Sequence, residues 1–188
     1  ALPISYSIYP TSEDEAIFTK YLIEEQEKYS GVIYIADALN LKRSLLLYQQ
    51  IKDLGIPVLM VINQVDLAEK RGLHIDSKKL GELLGQNILE TNAKKNIGIE
   101  EIRESIFKDE FSVSDKPYFD IPSENLGLVF KISRQIEEKN FYKVWTLIAA
   151  DTYLGKLESV KTQLNQEDRK CMVPKRLQVQ ETIRRYQQ

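Results

Sequence analysis

One hydrophobic run limits what this chain can fold into. The run extends from Ile56 to Ile62, starts at a Gly-Ile-Pro break and contains mostly aliphatic residues. A run of this kind predicts a strand that is buried on both faces, as in a parallel sheet. It is followed by Asn63 and Asp66, which have the spacing Asn-x-x-Asp. Because ligands of open α/β sheets bind at the carboxyl ends of the strands, these two residues are candidates for a binding site.

The Asp66 side chain has the chemistry to recognise one purine. A carboxylate at this position can accept two hydrogen bonds from the N1–H and N2–H2 edge of guanine. Adenine lacks this pair of donors, so the site would reject adenine by leaving polar groups unpaired. An alternative interpretation is that Asn63 and Asp66 only cap the next segment, and the short pattern alone does not decide between the two.

Strand and helix patterns alternate from Gly31 to Phe107. A second strand is predicted over 31–37 and a third over 87–91, with helical patterns between and after them. This alternation predicts right-handed βαβ crossovers on a mostly parallel sheet with flanking helices.

The remainder of the chain has a helical pattern without a convincing strand. A polar connector near residues 109–120 leads into it, so we predict two domains, residues 1–110 and 111–188. Trp145 is predicted to lie in the core of the second domain. The predicted helices of this part begin near Ser123 and Asn140 and extend over Thr152–Leu164 and Lys175–Tyr186.

The N-terminal part contains one further helix signal. Ser12-Glu13-Asp14-Glu15 has the form of a capping box, which predicts a helix that begins there. Its inward face is predicted to consist of Ala16, Ile17 and Tyr21.

The composition argues against several classes of protein. The net charge is -2 without a dense basic block, so no nucleic-acid partner is expected. The only cysteine, Cys171, excludes an intrachain disulfide and indicates a reducing compartment. The only histidine, His74, argues against a histidine metal site or a Ser-His triad, and we predict neither metal ligands nor catalytic residues in this chain. No apolar run has the length needed to cross a bilayer.

A second polar stretch follows the third predicted strand. Residues 91–95 have the sequence Thr-Asn-Ala-Lys-Lys and are placed at the same sheet edge as Asn63 and Asp66. The backbone N–H of Ala93 could approach a purine O6, and the stem of Lys94 could cover one face of the base. The alternative is an ordinary loop with a solvated basic pair. The two stretches together favour the base-binding half of a GTPase.

These motifs and the sequence around them resemble the N-terminal GTPase part of FeoB-type ferrous iron transporters. In that family a helical domain called GDI-like follows the G domain. The resemblance therefore implies part of a P-loop GTPase-like sheet domain, followed by a small all-helical domain. It is carried by YPTSEDEAIFTKYL, ADALNLKRSLLLYQQIKDLGIPVLMVINQVDLAEKRG, IDSKKLGELLG and the tail KRLQVQETIRRYQQ.

The resemblance also implies roles for particular residues, with GTP or GDP as the ligand. Asn63 and Asp66 match the fourth GTPase motif, which selects the base, and the backbone of Gln64 between them is expected to line it. The fifth motif is matched by Thr91, Asn92, Ala93 and Lys94, with Asn92 where serine is more usual.

Other parts of the family pattern are not matched. Ala1-Leu2-Pro3-Ile4 stands where the family has Asp-x-Pro-Gly, so Ala1 cannot hold a magnesium-bound water. Ile4 replaces the glycine whose N–H meets the γ-phosphate. No Gly-x-x-x-x-Gly-Lys-Ser/Thr phosphate loop occurs in the sequence. We therefore expect a chain that lacks its phosphate-loop segment and hydrolyses GTP negligibly alone, while GTPase activity and Mg²⁺ belong to the intact protein.

The function implied is the guanine-nucleotide-binding regulatory portion of a ferrous iron transport protein, in which GTP hydrolysis gates Fe(II) uptake. The implied partners are a guanine nucleotide, the membrane-embedded part of the same polypeptide and small accessory transport proteins. The implied location is the cytoplasmic side of a bacterial inner membrane. Two alternatives stay open, a non-catalytic interaction module and a fragment of a ribosome- or tRNA-related GTPase, although the charge balance argues against the latter.

Overall fold

The chain forms two compact units in the computed structural model. The sheet unit spans Glu27–Lys116, and the helical unit combines Ala1–Gln26 with Pro117–Gln188. The residues that the structure describes are 7–10, 12–114, 117–164 and 166.

The described residues of the sheet unit contain three parallel strands, β1 (Val32–Asp37), β2 (Val58–Asn63) and β3 (Ile88–Thr91). Their order is β1-β2-β3, so β2 is central. All five residues from Val58 to Ile62 are buried, as the uninterrupted apolar run predicts. The register pairs Asp37 with Asn63 and Asn63 with Thr91, which brings the carboxyl ends of the three strands to one edge.

Helices alternate with these strands, and the predicted parallel sheet with flanking helices is confirmed. The helices described in this unit are α2 (Leu41–Asp53), α3 (Val65–Lys70), α4 (Ser77–Leu84) and α5 (Ile99–Phe107). α2 packs on β1, whereas α4 and α5 both contact β3.

Local sequence signals determine where α4 begins and ends. The Asp76 carboxylate accepts a hydrogen bond from the Lys79 N–H at 2.9 Å, which satisfies one of the free donors at the start of the helix. Gly85 follows the last residue with φ 64°, a left-handed conformation that glycine adopts without a steric penalty.

The described helical unit consists of packed helices, which are α1 (Glu13–Glu24), α6 (Ser123–Gln135), α7 (Phe141–Leu154) and α8 (Glu158–Gln163). α7 contacts both α1 and α6. Trp145 on α7 is 3% exposed, which confirms its predicted place in the core. The Asn140 side chain caps α7 by accepting a hydrogen bond from the Lys143 N–H at 2.9 Å.

The predicted inward face of α1 is wrong, although its predicted cap at Ser12 is present. Ile17 is 64% exposed, whereas Phe18, Leu22 and Ile23 are buried. Both sets of residues have helical spacing, and neighbouring positions on a helix differ by about 100° in direction. The larger apolar stripe, which begins at Phe18 and not at Ala16, is the one that faces the core.

The single helix predicted over Thr152–Leu164 is also wrong. α7 ends at Leu154 because Gly155 adopts φ 60° and donates its N–H to the Asp151 carbonyl at 2.9 Å. A separate helix, α8, then begins at Glu158. Several predictions lie outside the described residues: the stretch Ala1-Leu2-Pro3-Ile4 compared with Asp-x-Pro-Gly, Cys171, the helix over Lys175–Tyr186 and the C-terminal tail.

The division into domains at residues 110 and 111 stays a prediction. The compact units differ from it at the N-terminal segment, since α1 contacts α7 within the helical unit. In the described part of the chain, no helix combines the length and hydrophobicity needed to cross a bilayer.

Candidate nucleotide-binding site

The two predicted motifs meet at the carboxyl edge of the sheet. Asn63 and Thr91 are register partners at the ends of β2 and β3. The backbone continues this pairing by one residue, because the Gln64 N–H donates to the Thr91 carbonyl at 3.1 Å. The sheet therefore places residues 63–66 and 91–94 side by side.

Asn63 joins the two motifs through its side chain. Its Oδ1 accepts a hydrogen bond from the Ala93 N–H, with an N···O distance of 3.2 Å. This bond is not a helix cap, so capping alone does not account for Asn63. It also engages the donor that was predicted to approach a purine O6, so a bound purine would have to share this N–H or displace the Asn63 oxygen.

Gln64 makes the turn that leads from β2 into α3. It has φ 65° and ψ 32°, a left-handed conformation that is uncommon for a residue other than glycine. Its carbonyl accepts hydrogen bonds from the Leu67 N–H at 3.0 Å and the Ala68 N–H at 3.2 Å, which begin the helix. This sharp turn puts Asp66 in the first turn of α3, beside the loop that follows β3.

The Asp66 carboxylate forms an ion pair with the second lysine of that loop. Asp66 Oδ2 lies 3.1 Å from Lys95 Nζ, and the two side chains are 28% and 55% exposed. The hydrogen bond from Lys95 is the main cause that lowers the pKa of Asp66 below its ordinary value of 3.8. The charges of Lys95 and Lys70 and the Leu67 N–H act in the same direction, while partial burial opposes them. Asp66 is therefore ionised at neutral pH and can only accept hydrogen bonds.

The loop after β3 is closed by its own polar groups. The Asn92 N–H donates to the Ile97 carbonyl at 3.0 Å, and the Ile97 N–H donates back to the Asn92 carbonyl at 3.2 Å. Thr91, which is buried, donates its hydroxyl to the same Ile97 carbonyl at 2.6 Å. Asn92 Oδ1 accepts the Lys95 N–H at 3.2 Å and caps the short 3-10 turn Ala93–Lys95.

Gly98 is needed where this loop meets α5. Its φ is 81°, and a Cβ at this position would lie 2.2 Å from the Glu90 carbonyl oxygen. Because the clash is with backbone rather than with a flexible side chain, the loop cannot accept another residue there without shifting.

Two residues at this edge were not assigned a role from the sequence. Lys95 was considered only as part of a solvated basic pair in the alternative interpretation of this loop, but it holds Asp66, and a contact between residues 29 positions apart leaves no local signal. Asp37 lies beside Asn63 at the end of β1, and its carboxylate accepts the Leu39 N–H at 2.9 Å and Asn40 Nδ2 at 2.7 Å. Among the residues described, no group of three or more His, Cys, Asp or Glu side chains could hold a metal ion.

Comparison with known proteins relates the chain to one family. A family model described as ferrous iron transport protein B matches residues 1–106, more than half of the chain. The Fe(2+) transporter FeoB of Leptospira biflexa is 39% identical over 109 residues. The match covers 58% of this chain and only 16% of that transporter, so the chain spans a small part of its curated relative.

Solved structures extend the similarity beyond the part that the family model matches. The cytosolic domain of L. pneumophila FeoB aligns with a TM-score of 0.74 and 30% identity, covering 99% of this chain and 74% of that one. The cytosolic domain of the T. maritima FeoB iron transporter in a GDP form aligns with a TM-score of 0.73 and 25% identity, covering 98% and 73%.

Proposed function

Since the chain belongs to the family of ferrous iron transport protein B, we propose that it is the guanine-nucleotide-binding, regulatory portion of a ferrous iron transporter. The observation that carries this proposal is the position of the ionised Asp66 carboxylate next to the loop around Ala93, at the carboxyl edge of the sheet. The GDP form of the T. maritima relative, which shares the fold over nearly the whole chain, supports the same ligand class.

The residues at this edge fit the base of a guanine nucleotide. Asp66 offers an anionic acceptor for N1–H and the N2 amino group, Ala93 carries a backbone N–H for O6, and the exposed Lys94 stem can lie over one face of the ring. The Asn63 side chain and the Gln64 turn hold these elements in place. In sites of this type, leaving polar groups unpaired with the wrong base can favour guanine over adenine by a factor of up to about 10⁴ to 10⁵.

In the intact protein, we propose that GTP hydrolysis gates Fe(II) uptake. Bound GTP with Mg²⁺ would supply phosphoryl-transfer chemistry, in which positioning and electrostatic stabilisation are the protein's main contribution. We assign no residue of this chain to Mg²⁺ or to catalysis, since the described residues at this edge recognise a base rather than phosphates.

We also propose roles for the two domains, partners for the chain and its location in the cell. Residues 1–110 would act as the G domain and residues 111–188 as a GDI-like helical domain that relays the nucleotide state. The partner would be the membrane-embedded part of the same polypeptide at a bacterial inner membrane, with the chain on the cytoplasmic side, and small accessory transport proteins would join it. The names of the relatives as iron transporters with a cytosolic domain support this arrangement.

A nucleotide titration followed by ¹H–¹⁵N NMR tests the proposed ligand. GDP should shift the amide signals of Ala93 and Gln64 at concentrations where ADP leaves them unchanged. The method detects weak binding, which matters because the sequence contains no phosphate loop. Equal responses to GDP and ADP, or signals that move only in the helical unit, would contradict guanine recognition at this edge.

A further inference from the structure

The backbone of Lys95 is held in place by the loop that carries it. Its N–H donates to Asn92 Oδ1 at 3.2 Å and to the Asn92 carbonyl at 3.0 Å. The paired hydrogen bonds between Asn92 and Ile97 close the loop around it. The Lys95 side chain therefore starts from a defined position next to the first turn of α3.

The ammonium of Lys95 reaches one oxygen of Asp66, the residue that we propose reads the base. The Nζ to Oδ2 distance is 3.1 Å, within the range of a charge-assisted hydrogen bond. A carboxylate has about four lone-pair sites, so one bond from a lysine leaves acceptor capacity for two donors of a guanine edge.

We propose that Lys95 is a positioning residue for guanine recognition, which keeps the Asp66 carboxylate in the orientation that accepts the N1–H and N2 amino donors. This inference rests on the proposed function and deepens it. Because the contact that Lys95 makes at this site is with the Asp66 carboxylate, its effect on the nucleotide acts through Asp66.

This pair differs from two further exposed ion pairs described in the sheet unit. Lys108 with Glu104, and Arg103 with Glu100, join residues one turn apart along α5 and its C-cap. Lys95 instead connects the two loops that carry the candidate site, and its partner Asp66 is the less exposed member of the pair. Exposed ion pairs add little to folding stability, so the consequence of losing this one should appear in binding rather than in unfolding.

The charged groups around Asp66 define what remains when Lys95 is replaced. Lys70 on α3 also acts on the carboxylate by its charge. The turn that packs against α3 follows Asp37, whose carboxylate is held by the Leu39 N–H and Asn40 Nδ2. A Lys95 substitution thus removes the main hydrogen bond to Asp66 but leaves a second positive charge on the same helix.

The experiment uses Lys95→Met, with Lys95→Arg as the conservative variant and Lys108→Met as the matched control. Lys108 is an exposed lysine of the same unit with a carboxylate partner, Glu104, outside the candidate site. The Asp66 carboxyl carbon is titrated by ¹³C NMR without nucleotide, and GDP affinity is measured by amide shifts. Lys95→Met should raise the pKa of Asp66 toward 3.8 and weaken GDP binding about two- to fivefold, with Tm unchanged. Lys95→Arg should restore both values, and Lys108→Met should change neither.

Two results would overturn the inference and leave the proposed function intact. One is a Lys95→Met variant with the same Asp66 pKa as the unmodified chain, and the other is a raised pKa with unchanged GDP affinity. A chain that does not distinguish GDP from ADP at all would instead refute the proposed function, and the role of Lys95 with it.

Discussion

Asn63 Oδ1 and the Ala93 N–H are joined by a 3.2 Å hydrogen bond between residues 30 positions apart in the sequence. The bond fixes the loop after β3 to the end of β2, so the two polar stretches are held side by side. It also explains why an asparagine suits the first position of the Asn-x-x-Asp pattern. A side chain of this length carries an acceptor from the strand end to the neighbouring loop.

Asn63→Ala should loosen this loop without unfolding the sheet. The lost bond is exposed at its Ala93 end, so we expect a stability loss of only about 0.5–1.5 kcal/mol. Hydrogen exchange at the Ala93 amide should become faster, while Asn87→Ala, an exposed change in the loop before β3, should leave it unchanged. An Ala93 amide that exchanges at the same rate in both variants would show that Asn63 does not hold the loop.

Asp66→Asn should change which base the site prefers. The amide can donate a hydrogen bond where the carboxylate could only accept one, which suits the O2 of xanthine better than the amino group of guanine. In a competition titration, the variant should prefer XDP over GDP, whereas the unmodified chain should prefer GDP. Unchanged selectivity would count against Asp66 as the residue that reads the base.

The pKa of Asp66 should depend on salt. Lys95 and Lys70 lower this pKa in the folded chain. The ionised Asp66 carboxylate therefore stabilises the folded state at pH values above its unfolded pKa of 3.8, and this stabilisation is lost as the pH falls through the lower folded pKa. Because the pair is exposed, added salt screens it. The titration midpoint of the Asp66 carboxyl should lie below 3.8 at low ionic strength and rise in 1 M NaCl; a midpoint that does not respond to salt would contradict an electrostatic cause.

Gly98→Ala should destabilise the sheet unit. The residue has φ 81°, and the added Cβ would meet the Glu90 carbonyl oxygen at 2.2 Å, so we expect a cost of about 1–3 kcal/mol or more. Gly127→Ala is the control, because a Cβ there meets nothing within 4 Å and alanine favours the interior of α6 by about 0.5–1 kcal/mol.

These two glycine variants are best compared by urea unfolding with far-UV circular dichroism. Circular dichroism is preferred over the fluorescence of Trp145 because that residue reports on the helical unit, whereas Gly98 lies in the sheet unit. If both variants had the same midpoint, the positive φ of Gly98 would not be a constraint on the loop.

The buried strand β2, the alternation of strands and helices and the caps of α4 were predictable because each depends on residues that are near in sequence. A continuous aliphatic run buries both faces of a strand wherever the strand lies in a parallel sheet. A capping aspartate such as Asp76 and a terminating glycine such as Gly85 act within one turn of helix. The two predictions that failed did so for different reasons: the inward face of α1 required a choice between two adjacent stripes with equivalent helical spacing, whereas the single helix over Thr152–Leu164 overlooked the local stop signal at Gly155.

The amino-acid sequence alone determined the strand ends and the residues found there, since strand length and breaks follow from local hydrophobicity and backbone preference. Only the tertiary structure decided which of those residues touch. The pairing of Asn63 with Ala93 and of Asp66 with Lys95 arises because parallel strands bring their carboxyl ends to one edge and the left-handed turn at Gln64 redirects the chain. Contacts of this kind depend on the relative placement of distant segments, which is set by the packing of the whole sheet and not by any single stretch of sequence.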